Sequence, residues 1–334
     1  MSIDITAKTI EPVRQTYDQV ARRIGEGKAA SRYQEAVYDV QPTTNFHYRP
    51  TWDKDHELYD KGRTRIVMED WYSFMDPRQY YYGNYTVARA RQQDSMENNF
   101  AFIEKKELLA SVPGDVLDSL RECLIPFRHV EWGANMNNCY ITDFGYGTSI
   151  TTATTFNAMD RLGIAQYLTR IALLIDGNEE KTLTAARKDW LEDEAWQPLR
   201  HAMEDIFVLD DWFETFVAQD IVMDGLVYPL MFDRYMSAIT SQGGASLVML
   251  TEFMSDWFAE SVRWTDRLMK VTASESEENS ALLAEWTEQW SLRISDALKP
   301  IAEKSLGDSS HVTEILNELC ARMNKQGVKL EVSL

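Results

Sequence analysis

Cysteine is scarce in this sequence of 334 residues, which holds only Cys123, Cys139 and Cys320, all far apart. There is no CxxC pair and no even-numbered set, so a disulfide framework is excluded. The opening residues MSIDITAKTIEPVRQ also lack the apolar stretch that a secretory signal contains. Both absences predict a protein of the reducing cytoplasm.

Long apolar runs and basic charge are in short supply as well. Charged residues interrupt every apolar stretch within about a dozen residues, whereas a membrane-spanning helix needs about 20. The 34 Lys and Arg are outnumbered by 53 Asp and Glu, which gives a net charge of −19. Such a charge repels phosphate groups, so nucleic acid and membranes are excluded as main partners. Solubility is the simpler explanation of this charge, and a docking face for a basic partner is the alternative.

The motifs of several enzyme classes are missing. No GxGxxG, GK[ST] or GxSxG occurs, which excludes dinucleotide-binding, P-loop and nucleophile-elbow sites. A di-metal carboxylate bundle needs two Glu-x-x-His pairs, because the i, i+3 spacing places both ligands on one helix face. No histidine has a glutamate three residues before it; the five are His47, His56, His129, His201 and His311. Two Asp-x-x-His matches remain, Asp53/His56 and Asp308/His311, but chance alone predicts about one, and neither lies on a long apolar helix, so a metal-ligand role is disfavoured.

Helical periodicity dominates the chain from about residue 88 onward. Pro113-Gly114, Asp176-Gly177-Asn178 and Gln242-Gly243-Gly244 mark turns between apolar-periodic segments. Long helices joined by short turns are typical of a bundle, so the sequence predicts an all-α fold. The tail 327–332 alternates like a strand. We expect helices at 88–110, 114–142, 149–176, 180–203, 205–240 (with a possible break before Pro229), 244–271, 278–304 and 309–325.

Residues 1–87 have a different composition and predict an extended N-terminal arm before a helical domain at 88–334. Val13, Tyr17, Val20 and Ile24 suggest one short helix. Beyond it, frequent Pro and Gly break regular structure, yet rings are abundant. A segment that is rich in aromatic side chains but broken by Pro and Gly cannot form a core alone. It needs another surface to pack on, either a partner subunit or its own bundle. We favour the partner, and the interface candidates are Trp52, Trp71, Tyr72, Phe74, Tyr80, Tyr81 and Tyr82.

Three acidic residues lie on apolar helical segments: Glu131, Asp160 and Asp224. A buried carboxylate is costly unless it is paired or hydrogen-bonded. No histidine accompanies these three, so pairing with an arginine, amide or hydroxyl is the better interpretation than catalysis. For Asp160 the partner should come from another helix, since the adjacent Arg161 does not face it.

The run RIVMEDWYSFMDPRQYYYGNYT at residues 65–86 resembles the β-subunits of bacterial multicomponent monooxygenase hydroxylases, of the phenol hydroxylase and toluene monooxygenase type. The helical body is similar to the same family. This resemblance implies a ferritin-like bundle and a non-catalytic β-subunit, paired with an α-subunit that carries a di-iron site. Two alternatives stay open: an independent ferritin-like oxidase or metal-storage protein, and a helical adaptor without an enzyme partner.

The resemblance also implies where the metal ligands of the α-subunit have been lost. The family's first glutamate falls on Glu131, and its first Glu-x-x-His on Asp160 and Gly163. Its third-helix glutamate falls on Asp224, and its second Glu-x-x-His near Ser255 and Phe258, within a two-residue slip. Without histidines, these vestigial positions cannot reproduce the family's mixed ligand set. We therefore expect no catalytic residue and no metal site in this chain.

The resemblance implies the rest of the enzyme too. The hydroxylase would be an α₂β₂γ₂ assembly, served by a small regulatory protein and by a reductase that contains FAD and a [2Fe–2S] cluster. The complex would use NADH and O₂ to insert one oxygen atom into an aromatic ring.

Overall fold

The computed structural model describes residues 16–41 and 49–330, and these two stretches contain helices but no strand. None of the helices in them is long and apolar enough to cross a membrane. The α-helices are α1 (Asp18–Ile24), α2 (Arg32–Val37), α3 (Tyr82–Lys105), α4 (Gly114–Cys123), α5 (Phe127–Phe144), α6 (Thr148–Ile175), α7 (Lys181–Glu192), α8 (Gln197–Ile206), α9 (Trp212–Phe216), α10 (Asp224–Tyr228), α11 (Met236–Ile239), α12 (Ala245–Val248), α13 (Glu252–Glu275), α14 (Glu277–Leu306) and α15 (Ser310–Lys325).

Local sequence signals explain many of the helix ends. Ser31 and Gln34 form a capping box at the start of α2. The side chain of Asp211 caps α9, and that of Ser276 caps α14. Helix α14 ends at Gly307, whose φ of 69° is in the left-handed region that glycine tolerates best.

A single winding segment runs from α9 to α12 through three π-helical stretches, at Val217–Met223, Pro229–Tyr235 and Thr240–Gly244. The sequence left a break before Pro229 open, but the backbone stays helical through this residue. Proline lacks an N–H, and it is tolerated here because it stands at the first position of a π-helical stretch. The turn expected around Gly243 is confirmed, with φ of 98° at that residue.

The hydrophobic core joins α5, α6, the winding segment, α13 and α14. Helices α5 and α6 form an antiparallel hairpin, closed by a turn that ends at Gly147. That residue has φ of 89°, and a Cβ there would lie 3.3 Å from the Cβ of Trp71. The hairpin therefore brings polar residues of two long helices face to face inside the bundle.

Several predicted boundaries need correction. Helix α3 begins at Tyr82, six residues before the predicted start of the helical domain at residue 88. The predicted helix at 114–142 is interrupted at 124–126, where Pro126 precedes α5, and the one at 180–203 is interrupted at 193–196. The strand predicted for 327–332 is absent as far as residue 330, and its last two residues lie outside the described residues.

The arm packs largely on its own bundle. Its Ile66, Met68, Trp71 and Phe74 belong to the main hydrophobic core. The ring of Trp71 lies 5.5 Å from that of Trp212, centroid to centroid. These contacts support the alternative in which the arm folds back on the chain. The expected helix around Val20 is present as α1, while Val13 lies outside the described residues.

The interface candidates therefore divide into two groups. Trp71, Phe74 and Tyr80 are buried against this chain's own helices, so in this chain they present little surface to a partner. The Tyr80 hydroxyl, for example, donates to the Glu260 carboxylate of α13 at 2.9 Å. The other four candidates stay predictions: Trp52 and Tyr82 are exposed, and Tyr72 and Tyr81 are half-buried.

Candidate functional site: a buried arginine among carboxylates

The interior of the bundle contains a charged cluster built on three elements. Helix α5 contributes Glu131, α6 contributes Arg161, and the winding segment contributes Asp220 and Asp224, the latter at the start of α10. Arg161 follows the buried stripe of α6 that also includes Asn157, four residues earlier, so its side chain points inward. All of these residues are buried, and only 1% of the Arg161 side chain is exposed.

The Arg161 guanidinium lies between the carboxylates. Its Nη1 donates to Glu131 Oε2 at 3.1 Å and to the Tyr228 hydroxyl at 3.0 Å, while its Nη2 donates to Asp224 Oδ2. The Tyr228 hydroxyl in turn donates to Glu131 Oε1 at 2.9 Å. Asp220 lies farther out, with Oδ1 at 3.9 Å from Nη2. One cation thus serves three carboxylates from different parts of the chain.

A layer of amides supports this ion cluster. Asp220 Oδ1 accepts from the side-chain amides of Asn138 and Asn157, both at 2.9 Å. The amide of Gln219 donates to Asp224 Oδ1 at 3.1 Å. A buried polar network is stable only when its members are satisfied, and these amides provide most of the required partners. The Oδ2 of Asp220 and the Nε of Arg161 are left without a hydrogen-bond partner in the described structure.

Burial and neighbouring charges have opposing effects on the pKa of each ionisable group in this cluster. Burial raises the pKa of Glu131, and it raises that of Asp220 to about 6. Burial alone would lower the pKa of Arg161. Its interactions with Glu131, Tyr228 and Asp220 outweigh this effect of burial, so the pKa lies above its ordinary value. Arg161 is therefore a permanent cation.

Asp160, next to Arg161 in sequence, belongs to a second network at the edge of the bundle. Its two carboxylate oxygens accept from Nε and Nη2 of Arg89 on α3, each at 2.7 Å. Tyr85 donates to it at 2.8 Å, and the Trp257 indole does so at 2.9 Å. As expected, the partner of Asp160 comes from other helices. Asp160 is buried, yet it does not converge with Glu131 and Asp224.

Trp257 of α13 joins the two networks. While its indole N–H donates to Asp160, its ring lies 4.4 Å from the guanidinium carbon of Arg161. A cation over the face of an indole is attracted by the ring quadrupole, most strongly where water is excluded. The two charge networks therefore share one aromatic side chain.

The remaining vestigial positions do not point at the cluster. Gly163 lines a surface cleft together with Tyr167 and Phe253. The Ser255 hydroxyl donates to the backbone oxygen of Phe232. Phe258 stacks on Tyr228, with centroids 5.1 Å apart, and so contacts the cluster only indirectly. Of the six expected positions, Glu131 and Asp224 alone meet at one buried point.

The described histidines lie elsewhere. His129 is half-buried and stacks on Trp190 at 5.8 Å, and burial lowers its pKa to about 4. His56 contacts the Asp53 carboxylate, which also binds Arg63. Asp308 caps the backbone N–H of Ser310 instead of pairing with His311. No group of three or more His, Cys, Asp or Glu in residues 16–41 and 49–330 is arranged to hold a metal ion.

Comparison with known proteins decides the family. The model of the methane/phenol/alkene hydroxylase family matches residues 52–276, which is more than half of the chain. The chain belongs to this hydroxylase family. It is 46% identical over 329 residues to phenol 2-monooxygenase, oxygenase component DmpL, of Pseudomonas sp. (strain CF600), covering 98% of this chain and 99% of that protein.

Two further comparisons extend the family assignment. The structure of xenon-pressurised phenol hydroxylase from Pseudomonas sp. OX1 superposes with a TM-score of 0.93 at 46% identity, covering 99% of this chain and all of that chain. The hydroxylase component small subunit of propane 2-monooxygenase from Mycolicibacterium goodii is 27% identical, covering 81% of this chain and 77% of that protein. The helical bundle is therefore the fold of the phenol hydroxylase chains.

Sequence reasoning missed the central cation of this hydroxylase chain. It placed Asp160 in the same site as Glu131 and Asp224, whereas the neighbouring Arg161 occupies that position. Spacing alone does not separate the two, because Asn157, Asp160, Arg161 and Ile164 all belong to the buried side of α6.

Proposed function

We propose that this chain is the non-catalytic β-type subunit of the hydroxylase in a phenol-oxidising multicomponent monooxygenase. In this proposal the di-iron centre belongs to a partner α-subunit, and a γ-subunit completes an α₂β₂γ₂ hydroxylase. A reductase with FAD and a [2Fe–2S] cluster supplies electrons from NADH, and a regulatory protein completes the system. The high identity to a phenol 2-monooxygenase oxygenase component over nearly the whole chain supports this assignment.

The observation that carries the proposal is the position of the Arg161 guanidinium between Glu131 and Asp224. These two carboxylates are the acidic residues best placed to bind a cation, and both already bind the arginine. A divalent metal ion here would lie within a few ångströms of a buried positive charge, where repulsion is strong because water cannot screen it. The described residues around the cluster also offer no imidazole. The residues present therefore do not fit a di-iron centre.

A fixed arginine can maintain the architecture that a metal would otherwise provide. It crosslinks α5, α6 and α10 through charge-assisted hydrogen bonds to Glu131 and Asp224. The bundle is thereby held in a defined register without any metal, as a supporting subunit requires. In this proposal the chain contributes stability and surface to the hydroxylase, and the oxidation of the aromatic ring takes place in the partner.

The test is metal analysis and activity of the full-length chain, purified alone and then together with the proposed partner subunits of the hydroxylase. We expect far less than one iron per chain in the isolated protein and no phenol oxidation, with activity restored in the assembled hydroxylase plus reductase. Two irons per isolated chain, or oxidation without partners, would favour an independent ferritin-like oxidase. A chain that never assembles with a hydroxylase partner would favour a helical adaptor.

The Arg161→Gln variant distinguishes two reasons for the absence of metal: too few ligands, or repulsion of the metal ion by the guanidinium. If the guanidinium excludes metal, the variant should gain weak binding of a divalent cation such as Mn²⁺, measured by electron paramagnetic resonance, while wild type gains none. Gln92→Glu, which adds an acid beside the surface cleft, serves as the control for non-specific binding. Equal Mn²⁺ binding by wild type and Arg161→Gln would contradict the role assigned to the arginine.

A further inference from the structure

The outer face of the α5–α6 hairpin carries an exposed apolar strip. Hydrogen bonds across the hairpin, such as Asn135 Nδ2 to the Ala158 carbonyl at 2.7 Å, set the register of the two helices. With that register, Trp132 lies opposite Leu162, and Met136 lies opposite Met159. The four side chains are between 45% and 53% exposed, so about half of each ring or chain faces outward.

The strip is free of charge, unlike the rest of the surface. Residues 129–142 and 144–169 contain only three Asp, Glu, Lys or Arg side chains, Glu131, Asp160 and Arg161, and all three are buried. In a chain with 26% charged residues, two exposed helix faces without charge stand apart. Cores of stable interfaces are depleted of charge and enriched in Trp, Met and Arg. The composition of the strip matches such a core.

Other exposed apolar residues have charged side chains close to them. Val208 and Trp52 line a groove together with Asp53, Arg63 and Asp210, so charged groups alternate with apolar ones there. Tyr82, Val87 and Phe102 of α3 lie on a helix rich in Arg, Glu and Asn. Among the described residues, the α5–α6 face is thus the best candidate for a water-free interface.

Arg128 marks one end of the strip and indicates the charge of its partner. It lies one turn before Trp132, is half-buried, and has no hydrogen-bond or ion-pair partner among the described side chains. Burial lowers its pKa, and no carboxylate within residues 16–41 and 49–330 offsets that effect. A half-buried guanidinium without an acceptor is costly, and a carboxylate from another molecule would relieve that cost.

We propose that this strip, formed by Trp132, Met136, Met159 and Leu162 with Arg128 at its end, is the surface on which the metal-bearing hydroxylase subunit docks. The inference rests on the proposed function. The partner offers an apolar helical face with a carboxylate opposite Arg128. A second copy of this chain is a poorer occupant, because each copy brings a net charge of −19 and the two repel one another.

The test uses the full-length chain and its partner subunits, with affinity measured by titration calorimetry and assembly by native mass spectrometry. Leu162→Glu introduces a charge into the strip, and Leu292→Glu on α14 is its matched control, because both leucines are helical and 45% exposed. We expect Leu162→Glu and Met136→Glu to weaken assembly about 100-fold or more. Leu292→Glu should stay within about threefold of wild type, since exposed sites tolerate charge.

Arg128→Met tests the charged end separately. It keeps the length of the side chain and removes the charge, so we expect affinity to fall about tenfold, as for a charge-assisted contact, and its salt dependence to weaken. Circular dichroism and thermal unfolding confirm that each variant is folded before binding is measured. A variant that loses its fold is replaced by Met159→Glu.

The outcomes separate the two proposals. If wild type assembles and the strip variants assemble equally well, the docking inference is wrong while the proposed function stands. If wild type binds no hydroxylase subunit, the proposed function fails first. A wild-type homodimer that Leu162→Glu converts to monomers would show that a second copy occupies the strip, and would overturn the choice of partner.

Discussion

Two ion-pair networks meet at adjacent residues of α6 and differ in their access to water. In the inner one, the side chains of Arg161 and Glu131 are each 1% exposed. In the outer one, Arg89 bridges Asp160 and Glu260, and the side chains of Arg89 and Glu260 are 18% and 25% exposed. Water can solvate part of the outer network but none of the inner one. The same ion-pair chemistry therefore has very different consequences at the two sites.

The comparison shows how a helix can separate neighbouring charges. Residues i and i+1 point about 100° apart, so Asp160 faces α3 and α13 while Arg161 faces α5 and α10. The outer network links the end of the arm to the bundle, because Tyr80 and Arg89 both bind Glu260. The inner network links α5, α6 and α10 inside the bundle.

The largest effect should come from Arg161→Met, which leaves Glu131 and Asp224 buried without their cation. We expect the free energy of unfolding to fall by about 3–5 kcal/mol, measured by urea denaturation. The loss should grow as the pH rises, because the uncompensated carboxylates are neutral only at low pH. A loss under about 1 kcal/mol at neutral pH would mean that water reaches the inner network.

Arg89→Met should have a smaller effect, about 2–3 kcal/mol, because water partly solvates the carboxylates that it leaves behind. Tyr85 and Trp257 still donate to Asp160 in this variant. Denaturant unfolding at low and high salt measures the difference between the networks. The exposed pair Arg234–Glu318 provides the control, and Arg234→Met should cost under about 1 kcal/mol. Equal losses for Arg89→Met and Arg161→Met would remove the contrast between the two networks.

Asp220→Asn should change how stability depends on pH. The pKa of Asp220 is raised from 3.8 to about 6, chiefly by burial, so the folded chain holds this proton more tightly than the unfolded chain. The resulting stabilisation is full below about pH 4 and is lost as the pH rises through about 6.

The Asn variant lacks that loss and can still accept from Asn138 and Asn157 through its carbonyl oxygen. Relative to wild type, its free energy of unfolding should gain up to about 3 kcal/mol between pH 4 and pH 7, measured by denaturant unfolding in matched buffers. Parallel pH curves for the two proteins would contradict the raised pKa.

Trp257→Phe should have the smallest effect, about 1 kcal/mol. The substitution removes the indole N–H that donates to Asp160 but keeps a ring beneath the Arg161 guanidinium. Combined with Arg89→Met, it should cost more than the sum of the two single losses, because Asp160 then retains only Tyr85 as a donor. Additive losses in this double-mutant cycle would show that the two donors act independently.

The sequence allowed the long helices and several of their ends to be predicted, because apolar periodicity and capping residues are local properties. It also identified the lack of Glu-x-x-His pairs and the acidic residues on apolar helices. It predicted that the partner of Asp160 comes from another helix, but it did not show that Asp160 and Arg161 belong to different networks, because adjacent residues on a helix point about 100° apart. It also assigned Trp71 and Phe74 to a partner surface, because ring content alone does not reveal which surface buries a ring.

By itself, the sequence predicted a helical bundle with carboxylates on apolar helical segments and without a Glu-x-x-His pair. Only the tertiary structure decided that Arg161 neutralises those acids, because Glu131 and Asp224 are separated by 93 positions and meet only when α5 and α10 pack beside α6. Folding likewise decided that the arm covers its own core and leaves the α5–α6 face open. Charge pairing and burial depend on distances in space, which helical periodicity along the chain does not specify.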